Sequence, residues 1–353
     1  MRLREIGDVV FTTPAVSALR RHFPSARLTY IVEPSAAPVV ERNPHLDELI
    51  VAPRRQGISG LLADVALGRR LRREKFDLAV DFHGGPRASL LTWLSGARSR
   101  IGYDVAGRGW MYTTRVARPR ELRRRHSVEN QWDLLSAAGV DAKPSPEAFP
   151  VEMTVPPAVE AAVTERLARA GLRPSQQLVV IHVSAGNPFR RWPFQSFVSL
   201  ATGLARTHAN VSVAITSGPS DADAARRVID AARAALDTDR DRERILRCGE
   251  FSLAELRALA DRASLYVGGD SGPLHIAATS RVPIVGLYGP TLPVRSAPWR
   301  GSECVSESVD AGELPCRPCE QRVCAPGDFR CLTRIAPERV LAAAGRALER
   351  STR

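Results

Sequence analysis

The stretch SLYVGGDSGPLHIAATSRVPIVGLYGPT, residues 264–291, decides how the chain folds. Residues 265–267 are a short β-rich apolar run, and Gly268 and Gly269 break it. Asp270 and Ser271 then offer capping side chains ahead of Gly272 and Pro273, where proline suits a first helical turn. A second apolar run, 283–288, ends at Gly289-Pro290-Thr291. Strand, glycine turn, helix and strand make a βαβ unit whose helix starts at the carboxyl end of a strand. In an open α/β sheet that is where free N–H groups and the positive end of the helix dipole attract phosphate. His275, one turn into the helix, can add a donor. The plainer alternative is an ordinary βαβ unit with its glycines needed only for the turn. The second turn at 289–291 favours the phosphate-binding reading, because two neighbouring strand ends then open onto one crevice.

The same alternation recurs outward from this stretch. The spacing predicts strand 178–183, helix 193–206, strand 211–216 and helices 221–235 and 252–262. An earlier series comprises helix 13–23, strands 27–32, 48–52 and 77–82, and helices 61–73, 87–94 and 127–138. Strands alternating with helices imply parallel sheets. Between the series lies a proline-rich segment with one β-like run, 149–155, and one helix-like run, 159–170. The expected fold is α/β, two Rossmann-like doubly wound domains facing a cleft. The expected boundaries are a first domain at 1–155, a linker at 156–175, a second domain at 176–335 and a C-terminal helix at 336–353.

Hydrophobic residues at 44% and charged residues at 25% are the proportions of a soluble globular protein. No run reaches the ~18 apolar residues of a membrane span, and the amino terminus lacks a secretory apolar core, so a cytoplasmic location is expected. The net charge of +12, carried almost wholly by arginine, points to acidic partners such as a nucleotide, a phosphorylated glycolipid or an anionic membrane face. Nucleic acid is not expected, since no basic stripe is interleaved with aromatic side chains.

Four further features bear on chemistry. Gly7-Asp8 precedes the first helix, where the carboxylate serves either as a helix cap, the commoner case, or as a general base aimed into the cleft. The segment HVSAGNPFRRWP, 182–193, follows the first strand of the second domain. Its small residues let backbone approach a ligand, and Arg190 or Arg191 can meet a diphosphate with a planar donor fork. Six arginines between Arg115 and Arg125 form either a solvated loop or a patch for an acidic acceptor or membrane. Cys316, Cys319, Cys324 and Cys331 are close enough in sequence for a structural zinc, but their last spacings match no standard zinc module, and reduced structural or redox-sensitive thiols are an equal reading. Either way the cysteine segment is expected to act as a staple outside the catalytic cleft. The pairs Asp221/Asp223 and Asp237/Asp239 read as solvated helix faces.

Together these motifs resemble the ADP-heptose:lipopolysaccharide heptosyltransferase family of inverting GT-B glycosyltransferases. The resemblance rests on GDVVFTTP at 7–14, FRRWP at 189–193, GDSGPLH at 269–275, YGPT at 288–291 and the cysteine cluster before IAPERV at 335–340. It implies Asp8 as general base and Ser184, Gly186, Arg190, Phe251, Asp270, Ser271, Gly272 and His275 as donor-binding residues. Arg190 stands where the family has a lysine, which keeps the charge and alters its geometry. The implied donor is an ADP-heptose and the implied acceptor a lipopolysaccharide core or other acidic glycolipid, with peripheral contact at the inner membrane. No cofactor is required for transfer. A nucleotide-sugar-binding protein of another specificity, epimerase-like or non-catalytic, is the alternative. Family members carry an apolar strand just before the Gly-Asp turn, whereas here only MRLREI precedes it. These residues are too polar for a buried parallel strand, so the expectation is an upstream true start and unpaired backbone on both neighbouring strands.

Overall fold

The computed structural model describes residues 1–117, 125–184, 188–319 and 323–351. It divides into two compact units, Met1–Thr154 and Val155–Arg353. The strands of the first unit are β1 (Thr29–Val32), β2 (Glu48–Val51), β3 (Leu78–Asp81), β4 (Ser99–Asp104) and β5 (Thr114–Ala117). Those of the second are β6 (Gln177–His182), β7 (Val211–Thr216), β8 (Ile245–Leu246), β9 (Leu265–Gly269), β10 (Ile284–Tyr288) and β11 (Ser306–Asp310).

In the second unit all six strands are parallel, in the order β11-β10-β9-β6-β7-β8. This is a doubly wound sheet whose direction of winding reverses between β6 and β9. One face of the sheet is covered by the helices Phe194–Thr207, Ala222–Ala234 and Pro337–Ser351. Phe197, Leu200, Ala201 and Leu204 recur at helical spacing on the first of these. Val340, Ala343, Ala344 and Ala347 do so on the last, and together they bury Val179, Ile181, Val267 and Val285. Truncating one such leucine to alanine typically costs about 2–5 kcal/mol.

In the first unit β1 pairs with β2, and β3, β4 and β5 form a second parallel set. Residues 1–3 run between the two sets. The Met1 amine donates to Val80 O (2.7 Å), Phe82 N donates to Met1 O (3.0 Å), and Glu33 N donates to Leu3 O (2.7 Å). The order β2, β1, residues 1–3, β3, β4, β5 thus repeats that of the second unit. This corrects the expectation that both neighbours lack backbone partners here. Leu3 enters the core beside Ile31, Ile50 and Leu91, while Arg2 turns its guanidinium to Phe82 O and Asp8, so the polar composition does not prevent the pairing.

The first helix, Ile6–His22, begins seven residues before the expected start at 13 and runs through Pro14. Proline cannot donate to Val10 O, and the Thr13 hydroxyl takes that acceptor instead (2.8 Å). The β-like run 149–155 is not a strand. Phe149, Val151, Met153 and Val155 alternate inward, but the run finds no ladder, and Pro150 has no N–H to give one.

Candidate functional site

At the reversal point of the second sheet, the carboxyl ends of β6 and β9 lie side by side, His182 opposite Gly268. The next residue on β9, Gly269, allows close approach, since a Cβ there would lie 3.1 Å from Arg190 O. Asp270 follows and is buried. Its carboxylate lies 3.3 Å from Arg190 Nη1 and 3.5 Å from His275 Nε2, and it accepts from the Thr291 hydroxyl. Burial alone would push this carboxyl up, but His275, Arg190 and Thr291 outweigh it and hold the group at about 2. The ionised carboxylate is enclosed, and it holds the Arg190 guanidinium and the His275 ring in place. Arg190 also donates to Asp270 O (3.3 Å), and its side chain remains 37% exposed, leaving donors for a ligand. Arg191 points elsewhere, to Asp221 (3.0 Å), which is consequently buried rather than on a solvated face.

Ser271 precedes the helix Gly272–Ala277 as expected, but it does not cap it by side chain, because its hydroxyl donates to Gly269 O (3.1 Å). The helix has six residues, too few for a large macrodipole. Any anion held at Ser271 and Gly272 therefore depends on local N–H groups and on Arg190 and His275. Ser184 is buried. Its hydroxyl accepts from Gly218 N (2.7 Å) and contacts His182 Nε2 (3.0 Å), while His182 Nδ1 meets Thr216 Oγ1 (2.9 Å). Burial pushes His182 down to about 4, so a neutral ring ties the ends of β6 and β7 together. The Ser184 hydroxyl is thus engaged within the fold, and Gly186 lies outside the described residues. Phe251 sits in the loop after β8, with the Arg166 guanidinium 4.2 Å above its ring, so one ring face is already covered. His182, Thr216 and Thr291 were not singled out from sequence as site residues, although each ends or follows a strand at this sheet edge.

The corresponding edge of the first unit carries Asp8. It lies in the first turn of its helix, past Glu5, whose φ of 68° turns the chain out of residues 1–3. It does not cap the helix with its side chain but pairs with Arg2, which also donates to Phe82 O (2.8 Å). Beside it, the buried Asp81 accepts from His83 N, Gly84 N and the Tyr112 hydroxyl (2.6 Å), fixing the loop that follows β3. Burial, then the nearby Arg2, holds His83 below the usual histidine range. This places two carboxylates, Asp8 and Asp81, one arginine, Arg2, and the His83 imidazole at one strand edge.

The four clustered cysteines form no disulfide. Their segment is attached to the turn after β10: Cys319 N donates to Pro290 O (2.9 Å), and the buried Arg317 donates to Thr291 O (2.8 Å) and pairs with Asp310 (2.7 Å). The segment therefore supports Thr291 and, through it, Asp270. Among the described residues no group of three or more His, Cys, Asp or Glu side chains could hold a metal. Of the six arginines between 115 and 125, Arg118, Arg120, Arg123 and Arg124 lie outside the described residues. Arg125 pairs with Asp133, and Arg115 approaches Asp104.

Comparison with known proteins bears on this geometry. A model of glycosyltransferase family 9 (heptosyltransferase) matches residues 65–326. The chain is 28% identical over 323 residues to lipopolysaccharide heptosyltransferase 3 of Escherichia coli, spanning 89% of this chain and 90% of that protein. Among solved structures it is similar to a family 9 glycosyl transferase of Veillonella parvula, with a TM-score of 0.82, 23% identity and coverage of 98% and 95% of the two chains. It is also similar to the ADP-heptose lipopolysaccharide heptosyltransferase II of Escherichia coli, with a TM-score of 0.77, 19% identity and coverage of 100% and 98%.

Proposed function

Because the chain belongs to glycosyltransferase family 9, we propose that it moves a heptose, or a closely related sugar, from an ADP-sugar to a lipopolysaccharide core or similar acidic glycolipid, with inversion at the transferred carbon. The observation that carries this reading is the convergence of Arg190 and His275 on the buried, ionised Asp270 at the reversal point of the second sheet.

Asp8 accepts the proton of an acceptor hydroxyl as that oxygen bonds to the anomeric carbon. The bond from that carbon to the phosphate oxygen breaks, and its electron pair leaves with ADP. Arg190, His275 and the N–H groups at Ser271 and Gly272 meet the charge that develops on the departing diphosphate. Asp270 contributes by orientation, because a flexible guanidinium fixed in advance loses less entropy when the ligand arrives. Arg190, His275 and the backbone N–H groups provide the leaving-group stabilisation in this reading, so the mechanism assigns no step to a metal. Gly186 and Phe251 belong to the donor pocket in this reading, with Phe251 a buried ring packed under Arg166.

No helix among the described residues is long and apolar enough to cross a membrane. We place the enzyme in the cytoplasm, working at the inner face of the cytoplasmic membrane where a glycolipid acceptor is held. The finer cofactor reading is a structural zinc on Cys316, Cys319, Cys324 and Cys331. As placed among the described residues, the four thiols do not group as a metal site, so coordination would require their segment to close around the ion. Metal content by emission spectroscopy, on protein purified without a histidine tag, decides the matter. Zinc near one per chain supports coordination, and none under reducing conditions leaves the thiols structural.

The test of the reaction itself is ADP release from a panel of nucleotide sugars, with and without a lipopolysaccharide core acceptor. Release that requires both an ADP-heptose and the acceptor supports the proposal. Release from another nucleotide sugar, or conversion of the sugar without an acceptor, contradicts it.

A further inference from the structure

The helix Gly57–Arg73 buries Gly60, Gly68 and Leu71 and turns its other side to solvent. On that side Ile58, Leu61 and Leu62 are 79%, 58% and 64% exposed. Their spacing of i, i+3 and i+4 puts them on one stripe, and Val51, at the end of β2, is 44% exposed just before the connection. At about 100° per residue, Arg69, Arg72 and Arg73 continue the same stripe toward the carboxyl end, and Arg54 and Arg55 flank its start. All five are exposed.

The charge here is one-sided. The nearby carboxylates are already engaged: Asp64 by Arg87, Glu48 by Arg27 and Arg70, and Glu74 by Arg27. Among the described residues Arg54, Arg55, Arg69 and Arg73 have no ion-pair partner.

The apolar start of this helix also lies at the sheet edge that carries Asp8. Arg87 donates to Ala52 O (3.1 Å) and Pro53 O (3.0 Å) in the connection and pairs with Glu33 (2.8 Å) at the end of β1, and Glu33 N is bonded to Leu3 O. Four side chains are far short of the roughly 20–30 residues a side that a stable protein interface needs. An apolar tip flanked by arginines is instead the pattern of an element that lies in a bilayer interface, its apolar groups below anionic headgroups.

We propose that the start of the helix Gly57–Arg73, with Arg54 and Arg55, docks on an anionic lipid bilayer and so presents the Asp8 edge to a membrane-held acceptor. The second half of this statement rests on the glycosyltransferase reading, and the first does not. The test accordingly has two arms. In the first, the full chain is sedimented with vesicles of phosphatidylethanolamine and phosphatidylglycerol, or of phosphatidylcholine alone, without donor or acceptor. Binding is expected to the anionic vesicles, to weaken with salt, and to fall about tenfold or more in the triple variant Ile58→Ser, Leu61→Ser, Leu62→Ser. The pair Arg54→Glu, Arg55→Glu is expected to lose the preference for anionic lipid. Thermal melts confirm folding, which these exposed positions do not threaten.

In the second arm, ADP release is compared on a soluble core oligosaccharide and on a vesicle-embedded acceptor. The triple variant is expected to match wild type on the first and to fall severalfold on the second. Equal vesicle binding by wild type and triple variant, or binding by neither, overturns the docking proposal whatever the activity shows. A dimer in sedimentation velocity that the triple variant abolishes also overturns it, since a second copy would then cover the patch. Absence of ADP release on both acceptors, with vesicle binding intact, refutes the enzymatic reading alone.

Discussion

Asp270 keeps its charge where burial alone would remove it, and Arg190 and His275, which make this possible, are the groups proposed to meet the diphosphate. Proximity along GDSGPLH suggests ligand contact for every polar member, whereas the contacts of Asp270 with Arg190, His275 and Thr291 support an orienting role for it in the proposed reaction. Arg190 and Arg191 were likewise indistinguishable by composition, and the fold separates them by attaching Arg191 to Asp221. Arg190→Ala should therefore weaken ADP binding more than Arg191→Ala, by about tenfold or more, since a charge-assisted hydrogen bond is worth about 1.5–3 kcal/mol. Titration calorimetry with both variants reads this directly, and a larger loss at Arg191 would assign the phosphates to the other side chain. His182 makes a pH prediction. Its folded value is about 4 against an ordinary 6.5, so the unfolded chain takes up a proton that the folded ring refuses. Stability is then fully present above about 6.5 and is lost as pH falls from there toward 4, by about 3 kcal/mol in all. Urea midpoints measured across this window should decline for the wild-type chain and decline less for His182→Gln.

At the scale of elements, strongly periodic segments were readable and the weakly apolar ones were not. Strand β7 and the helix Phe194–Thr207 follow directly from β-branched runs and helical spacing. In contrast β4, β5 and β11 (SRIGYD, TRVA and SESVD) carry too little apolar character to declare themselves, and they form because neighbouring strands offer a ladder. The first helix was misjudged by its start, because the Gly7-Asp8 turn of the sequence motif lies within the helix and Thr13 repairs the acceptor that Pro14 leaves open. Close packing beneath the Asp8 edge is testable in β4. A Cβ at Gly102 would lie 2.3 Å from the Tyr112 ring, whose hydroxyl holds Asp81. Gly102→Ala should cost about 1–3 kcal/mol through this overlap, visible as a lower urea midpoint. A variant as stable as wild type would mean that the ring relocates freely.

Over the whole molecule, both units put their chemistry at the same place in their own sheets. Asp8 follows the central segment of the first, and Arg190, Asp270 and His275 follow the two strands that flank the reversal point of the second. In the proposed reaction each half holds one part, a carboxylate for the acceptor hydroxyl and a cradle of Arg190 and His275 for the departing diphosphate. The two-unit α/β organisation was evident from alternating strands and helices. The three-residue central segment was not, because only its backbone bonds and the single side chain of Leu3 mark it. The division of labour makes a sharp demand on Asp8→Asn. Donor affinity resides in the second unit and should be unchanged, whereas general-base assistance is typically worth about a hundredfold or more. The most direct measurement is therefore acceptor-dependent ADP release by wild type and Asp8→Asn at saturating ADP-heptose, alongside calorimetry of ADP with each. The account predicts equal ADP affinity and turnover reduced about a hundredfold or more in the variant. Equal turnover in the two proteins would contradict it.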